Sequence, residues 1–166
     1  MTRLFTGTEK ELLLAFLDQQ RDVVVWKLEG LTDDQLRRRP LASSSLYLLG
    51  LVKHLAGVEW YWLCEIFGRP AESYSLVVSD DVEVEEGDTT ESVLADYARA
   101  RAASDQAIAE LDLDATATTW LGDTVSFRWA ILHVIEESTR HVGHADLVRE
   151  HIDQTTGYLP EHLLPY

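Results

Sequence analysis

From about Leu46 to Phe67 the chain runs for roughly six helical turns with apolar side chains on almost every side. Lys53, His54, Glu59 and Glu65 interrupt the run, together with Cys64. A helix that is apolar all round has no face to give to water, so it belongs at the centre of a bundle. The rest of the chain must therefore supply amphipathic helices long enough to cover it.

Three further long segments meet that need. Thr8 and Glu11 form a capping box in which each side chain satisfies a free backbone N–H. It opens a helix running to about Glu29, with Leu12, Phe16, Gln19, Val23 and Trp26 at helical spacing and Gly30 as its stop. Thr32 and Gln35 make a second capping box, starting a short helix that Pro40 ends. The serines Ser43 to Ser45 are the expected N-caps of the apolar helix, and Gly68 and Pro70 close it. An acidic stretch from about Ala71 to Thr89 has little helical periodicity and reads as a long surface loop crossing the bundle. Thr89 and Thr90 start an alanine-rich third long helix, Glu91 to about Leu111. A loop through Trp120 and Gly122 leads to Ser126, which caps a fourth long helix from Phe127 to about Ile152. The tail, with Gly157, Pro160 and Pro165, reads as an irregular packed segment. The expected fold is all-α: one domain over residues 1–166, a four-helix bundle with a long crossover loop between the second and third long helices.

Charge narrows the range of partners. Acidic residues outnumber basic ones 29 to 14, a formal net charge of −15. Such a surface repels phosphate backbones and anionic headgroups, so neither nucleic acid nor membrane is an expected partner. The segment MTRLFTGTEKELLLAFLDQQ turns polar too early for a signal peptide, and a single cysteine forms no internal disulfide. Cytoplasm is the expected compartment.

The fourth long helix carries a pattern that could do chemistry. Ile131, Val134, Ile135, Ser138, Val142 and Ala145 share one apolar arc. His133, Glu137, His141 and His144 form a neighbouring stripe, with His141 nearest the arc. Residues at i and i+4 share a face, so Glu137 and His141 can converge on one ion, and imidazole with carboxylate suits Zn, Ni and Fe. A third ligand must come from elsewhere. His54, the one histidine of the apolar helix, is the natural candidate. The plainer readings are a solvated Glu–His pair and a core histidine bonded to a backbone carbonyl, and spacing alone leaves both open. His133 and His144 add further candidate ligands or proton carriers, or are wet surface.

The segments SLYLLGLVKHLAGVEWYW and FRWAILHVIEESTRHVGHADLVRE resemble the DinB superfamily, the DinB/YfiT-like metalloenzymes. That family places one metal-binding histidine in its second helix and a pair spaced by four in its last. The resemblance implies metal ligation by His54, Glu137 and His141, with His141-Val142-Gly143-His144 in the place of the family's terminal signature. Glu137 stands where many members have histidine, which is similar to the mycothiol-dependent branch of maleylpyruvate isomerase and mycothiol S-transferase-like proteins. His144 replaces the usual glutamine.

The resemblance implies one divalent metal (Zn or Ni, with Fe as a further option), a small thiol such as mycothiol, an electrophilic small-molecule substrate and a homodimer. In that setting His144 or His133 assists proton transfer. Three protein ligands leave a position open, as catalytic sites do. Alternatives are a metal-dependent hydrolase that activates water, a non-haem iron oxygenase, and an inert dimeric metal-binding or interaction module. Trp60, Tyr61, Trp62, Trp26, Trp120 and Trp129 read as core or interface aromatics or as a pocket lining. Cys64 reads as a small buried hydrophobe and Arg37 to Arg39 as a solvated helix end.

Overall fold

A computed structural model describes residues 4–69 and 83–157. Four long helices carry the fold: α1 (Glu9–Trp26), α3 (Leu48–Leu63), α4 (Thr90–Glu110) and α5 (Phe127–Asp153), with the short α2 (Asp33–Leu36) after α1. Most of the expected crossover loop, the closing Pro70 and the tail beyond Gly157 lie outside the described residues.

Local chemistry accounts for most helix boundaries. Thr8, Thr32 and Thr89 each make a reciprocal capping box, with Glu11, Gln35 and Ser92 respectively. Ser126 accepts from the Trp129 N–H at the start of α5, and Gln154 ends that helix in the left-handed region at φ 63°. Gly68, at φ 70°, terminates the short 3-10 turn Glu65–Phe67 that follows α3.

Three expectations need correction. The serines Ser43 to Ser45 do not cap the apolar helix. Ser44 is used in the preceding turn, its hydroxyl accepting from the Leu46 N–H, and Tyr47 takes the cap position without a side-chain bond. The first helix stops at Trp26, and tight turns rather than helix carry the chain to Gly30. The segment through Trp120 and Gly122 is a hairpin, not a plain loop: β1 (Thr116–Thr118) pairs antiparallel with β2 (Thr124–Ser126), Ala117 opposite Val125.

Side-chain ties fix the directions of the helices. Arg128 reaches Glu9 at 2.6 Å and Lys27 reaches Asp146 at 2.5 Å, so α1 and α5 run parallel. Lys53 pairs with Asp88 and Arg69 with Glu110, so α3 and α4 also run parallel. That direction is what the long crossover makes possible. His54 lies beside His141 while Trp62 lies beside His133, so α3 and α5 are antiparallel. α3 packs against both α4 and α5, the central place its composition demands.

The buried stripe of α1 is Leu17, Gln20, Arg21, Val23 and Val24, whereas Phe16 is 58% exposed. The interior falls into two apolar clusters. One contains Val24, Leu51, Leu55, Tyr97 and Val142, and the other Leu17, Val58, Leu63, Ile108 and Ile131. Among these apolar side chains Arg21 and Glu59 are both fully buried and joined by two bonds of 2.8 and 2.6 Å. Arg21 also holds Asp18 and Asp105 at 2.8 and 2.7 Å. Burial alone would weaken the guanidinium's hold on its proton, but the Glu59 and Asp105 carboxylates outweigh it.

Cys64 is buried in the second cluster, and burial pushes its thiol up to about 11. Only the thiolate alkylates. At pH 8 iodoacetamide should therefore leave Cys64 unmodified in the native protein and label it once denaturant unfolds the chain. Fast native labelling, read by mass spectrometry, would contradict this burial.

Candidate metal centre

Two neighbouring helices build the site. In α5, Phe127, Ala130, Ile131, Val134, Ser138, Val142 and Ala145 are turned inward. That orientation leaves the next stripe, His133, Glu137, His141 and His144, half-buried along the groove with α3. In α3, Leu51, Leu55 and Val58 are buried, and His54 is set at the edge of that face, toward α5.

Three of the candidate residues meet there. One ligand atom from each of His54, Glu137 and His141 lies within 4.8 Å of the others. The Glu137 Oε2 atom is 3.4 Å from His141 Nε2 and 3.8 Å from His54 Nε2, and the two imidazole rings lie 4.7 Å apart edge to face. An ion with bonds of about 2.0–2.1 Å in tetrahedral array separates its ligand atoms by about 3.4 Å. The spacing and the donor chemistry therefore fit a divalent cation with little movement.

Electrostatics favour the same use. Burial, then the adjoining His54 imidazole, push His141 down to about 4, with the Glu137 carboxylate pulling the other way. His141, 12% exposed, is thus neutral across the physiological range and keeps a lone pair available. Its other ring nitrogen, Nδ1, lies 3.3 Å from Nδ1 of His144. A hydrogen bond there fixes tautomer and ring orientation, the usual duty of a group behind a metal-binding histidine.

His133 does not join the triad. It enters an aromatic stack with Trp62 and Trp129 and lies 3.6 Å from Glu136. Among the expected aromatics, Trp60 and Tyr61 are largely buried, whereas Trp120 and Trp129 are exposed. The basic cluster is engaged by carboxylates: Arg37 pairs with Asp33 and Arg39 with Glu83. The stack itself was hidden in the sequence, because Trp62 and Trp129 sit on different helices. Its one local signal was Trp129 four residues before His133.

A family model described as Mycothiol-S-transferase matches residues 12–154, a span that takes in α3, α4, α5, all but the first three residues of α1, and the whole triad. Among curated proteins none matches the chain.

Proposed function

The chain belongs to the mycothiol-S-transferase family, and from that premise we propose that it transfers a small thiol, mycothiol, to an electrophilic small molecule. In this reading His54, Glu137 and His141 hold one divalent metal, zinc or nickel, with iron also within reach of the donor set. The observation that carries the reading is the convergence of two imidazole nitrogens and one carboxylate oxygen at a groove edge.

A divalent ion in such an open site supplies Lewis acidity and keeps a coordinating thiol deprotonated at neutral pH. The protein's own residues do the rest. His141 presents a neutral nitrogen without first having to lose a proton. Glu137 contributes the one negative charge among the three donors. His144 holds the far side of the His141 ring and so limits its rotation. The half-buried setting of all three reduces competition from bulk water.

The test is metal-dependent thiol consumption by protein purified without a histidine tag. Loaded with zinc or nickel, it is expected to consume mycothiol in the presence of 1-chloro-2,4-dinitrobenzene. Chelation should abolish that rate and metal return should restore it. A rate that chelation leaves untouched would remove the metal from the reaction. No consumption at full metal loading would remove the transfer.

A further inference from the structure

The triad occupies only part of the α3–α5 groove. His133 lies one turn from Glu137 toward the amino end of α5. Trp129, a further turn away, lies nearly parallel to the His133 imidazole, with centroids 4.9 Å apart and planes 15° from each other. Trp62 of α3 meets both edge-on, 4.7 Å from His133 and 5.2 Å from Trp129. Tyr61 adjoins Trp62 at 5.0 Å, and its hydroxyl accepts from the Trp120 N–H at the hairpin tip, 3.1 Å away. An aromatic wall thus runs from the β1–β2 hairpin to His133, one turn of α5 from Glu137.

Trp62 ties this wall to the second apolar cluster and Tyr61 is buried, but its Trp129 end is not core. The inward face of α5 is already taken by Phe127, Ala130, Ile131 and Val134, whereas Trp129 is 44% exposed. Trp120, at the far end, is 67% exposed. On α5 the wall comes within one turn of the triad, and on α3 within about two. His133 and Glu137 are four residues apart on α5, a spacing that puts their Cβ atoms about 5–6 Å from each other. Trp62 lies two turns beyond His54 on α3.

We infer that the Trp62–His133–Trp129 stack is the acceptor-binding wall and that it selects flat, conjugated electrophiles. The inference deepens the thiol-transfer reading and rests on it for the identity of the acceptor. Indole faces are electron-rich, so they attract an electron-poor ring in offset or edge-on stacking. An imidazole carries an N–H in either neutral tautomer, so His133 can donate to a nitro or carbonyl oxygen of such an acceptor. A compact aliphatic electrophile gains no stacking contact. The acidic surface of the chain further disfavours anionic acceptors.

Two measurements separate this inference from the reading beneath it. First, 1,3-dinitrobenzene, which no thiol displaces readily, is titrated into metal-loaded protein without thiol, and the indole N–H signals are followed by NMR. Saturable shifts are expected at Trp62 and Trp129, weakened about tenfold in Trp129→Ala, a factor in keeping with losing one or two aromatic pairings. Trp129→Phe should retain most of the binding. Second, the kcat/KM ratio for 1-chloro-2,4-dinitrobenzene over iodoacetamide is expected to fall about tenfold in Trp129→Ala. Shifts confined to other residues, or a ratio that Trp129→Ala leaves unchanged, would overturn the inference. Indole signals that move on dilution instead of with the probe would also overturn it, since a second copy of the chain would then cover the wall. Saturable binding at the wall with no thiol consumption would sink the transfer reading while leaving the flat-ring site in place.

Discussion

His141→Ala and Glu137→Ala are each expected to lower zinc affinity at least about a hundredfold and to abolish metal-dependent thiol consumption. Each removes one of three converging donors, and the two that remain no longer define a site (the Glu137 Oε2 atom is the one within 3.4 and 3.8 Å of both rings). His144→Ala should behave differently. It leaves all three donors in place and frees only the His141 ring, so a loss of about 10–100-fold is expected. Metal content per chain and a competition titration with a chelator would read the order. Should His144→Ala lose more metal than Glu137→Ala, His144 would have to be counted among the ligands and Glu137 reassigned.

The largest effect on stability is expected at Glu59. Its replacement by leucine strands the fully buried Arg21 guanidinium without its two-bond partner. Removing one partner of a buried ion pair costs about 3–5 kcal/mol, because the charge left behind has lost its water as well. For a chain of this length that lowers the melting temperature by roughly 10 °C or more. Replacing both, Arg21→Met with Glu59→Leu, should recover most of the loss, since the pair's attraction is largely cancelled by its own desolvation. A double variant as unstable as the single one would mean that Asp18 and Asp105, the other partners of Arg21, carry the stabilisation.

Much of the architecture was legible in the sequence because it rests on local signals. The capping residues at Thr8, Thr32, Thr89 and Ser126 start helices as expected, since each cap is written within four residues. The central place of α3 followed from its composition alone. The serines before α3 misled because a serine can bond its own turn as readily as it caps a helix. The hairpin escaped because three-residue strands are too short to show alternation, and Trp120-Leu121-Gly122 looks like any loop. For the site, helical spacing put Glu137 and His141 together, and the structure sets His54 opposite them. Separating the histidines by role needed a second helix. His133 faces Trp62 across the helix pair, which no one-helix periodicity contains, whereas His144 backs His141 from three residues away on the same helix. The Arg21–Glu59 pair was unreadable for the same reason. Arg21 by itself looks like a helix-surface charge, and Glu59, a charge within the apolar helix, signals a buried partner without naming it.

The parallel course of α1 and α5 also decides when, during synthesis, the bundle can close. Arg128 and its partner Glu9 are 119 positions apart. At about 5–20 residues per second, roughly 6–24 s separate the emergence of the first helix from that of its neighbour. Throughout that interval Leu17, Val23 and Val24 have no α5 to lie against. The part of that stripe that α3 does not cover stays exposed until α5 has been made, and a holding chaperone has that long to act.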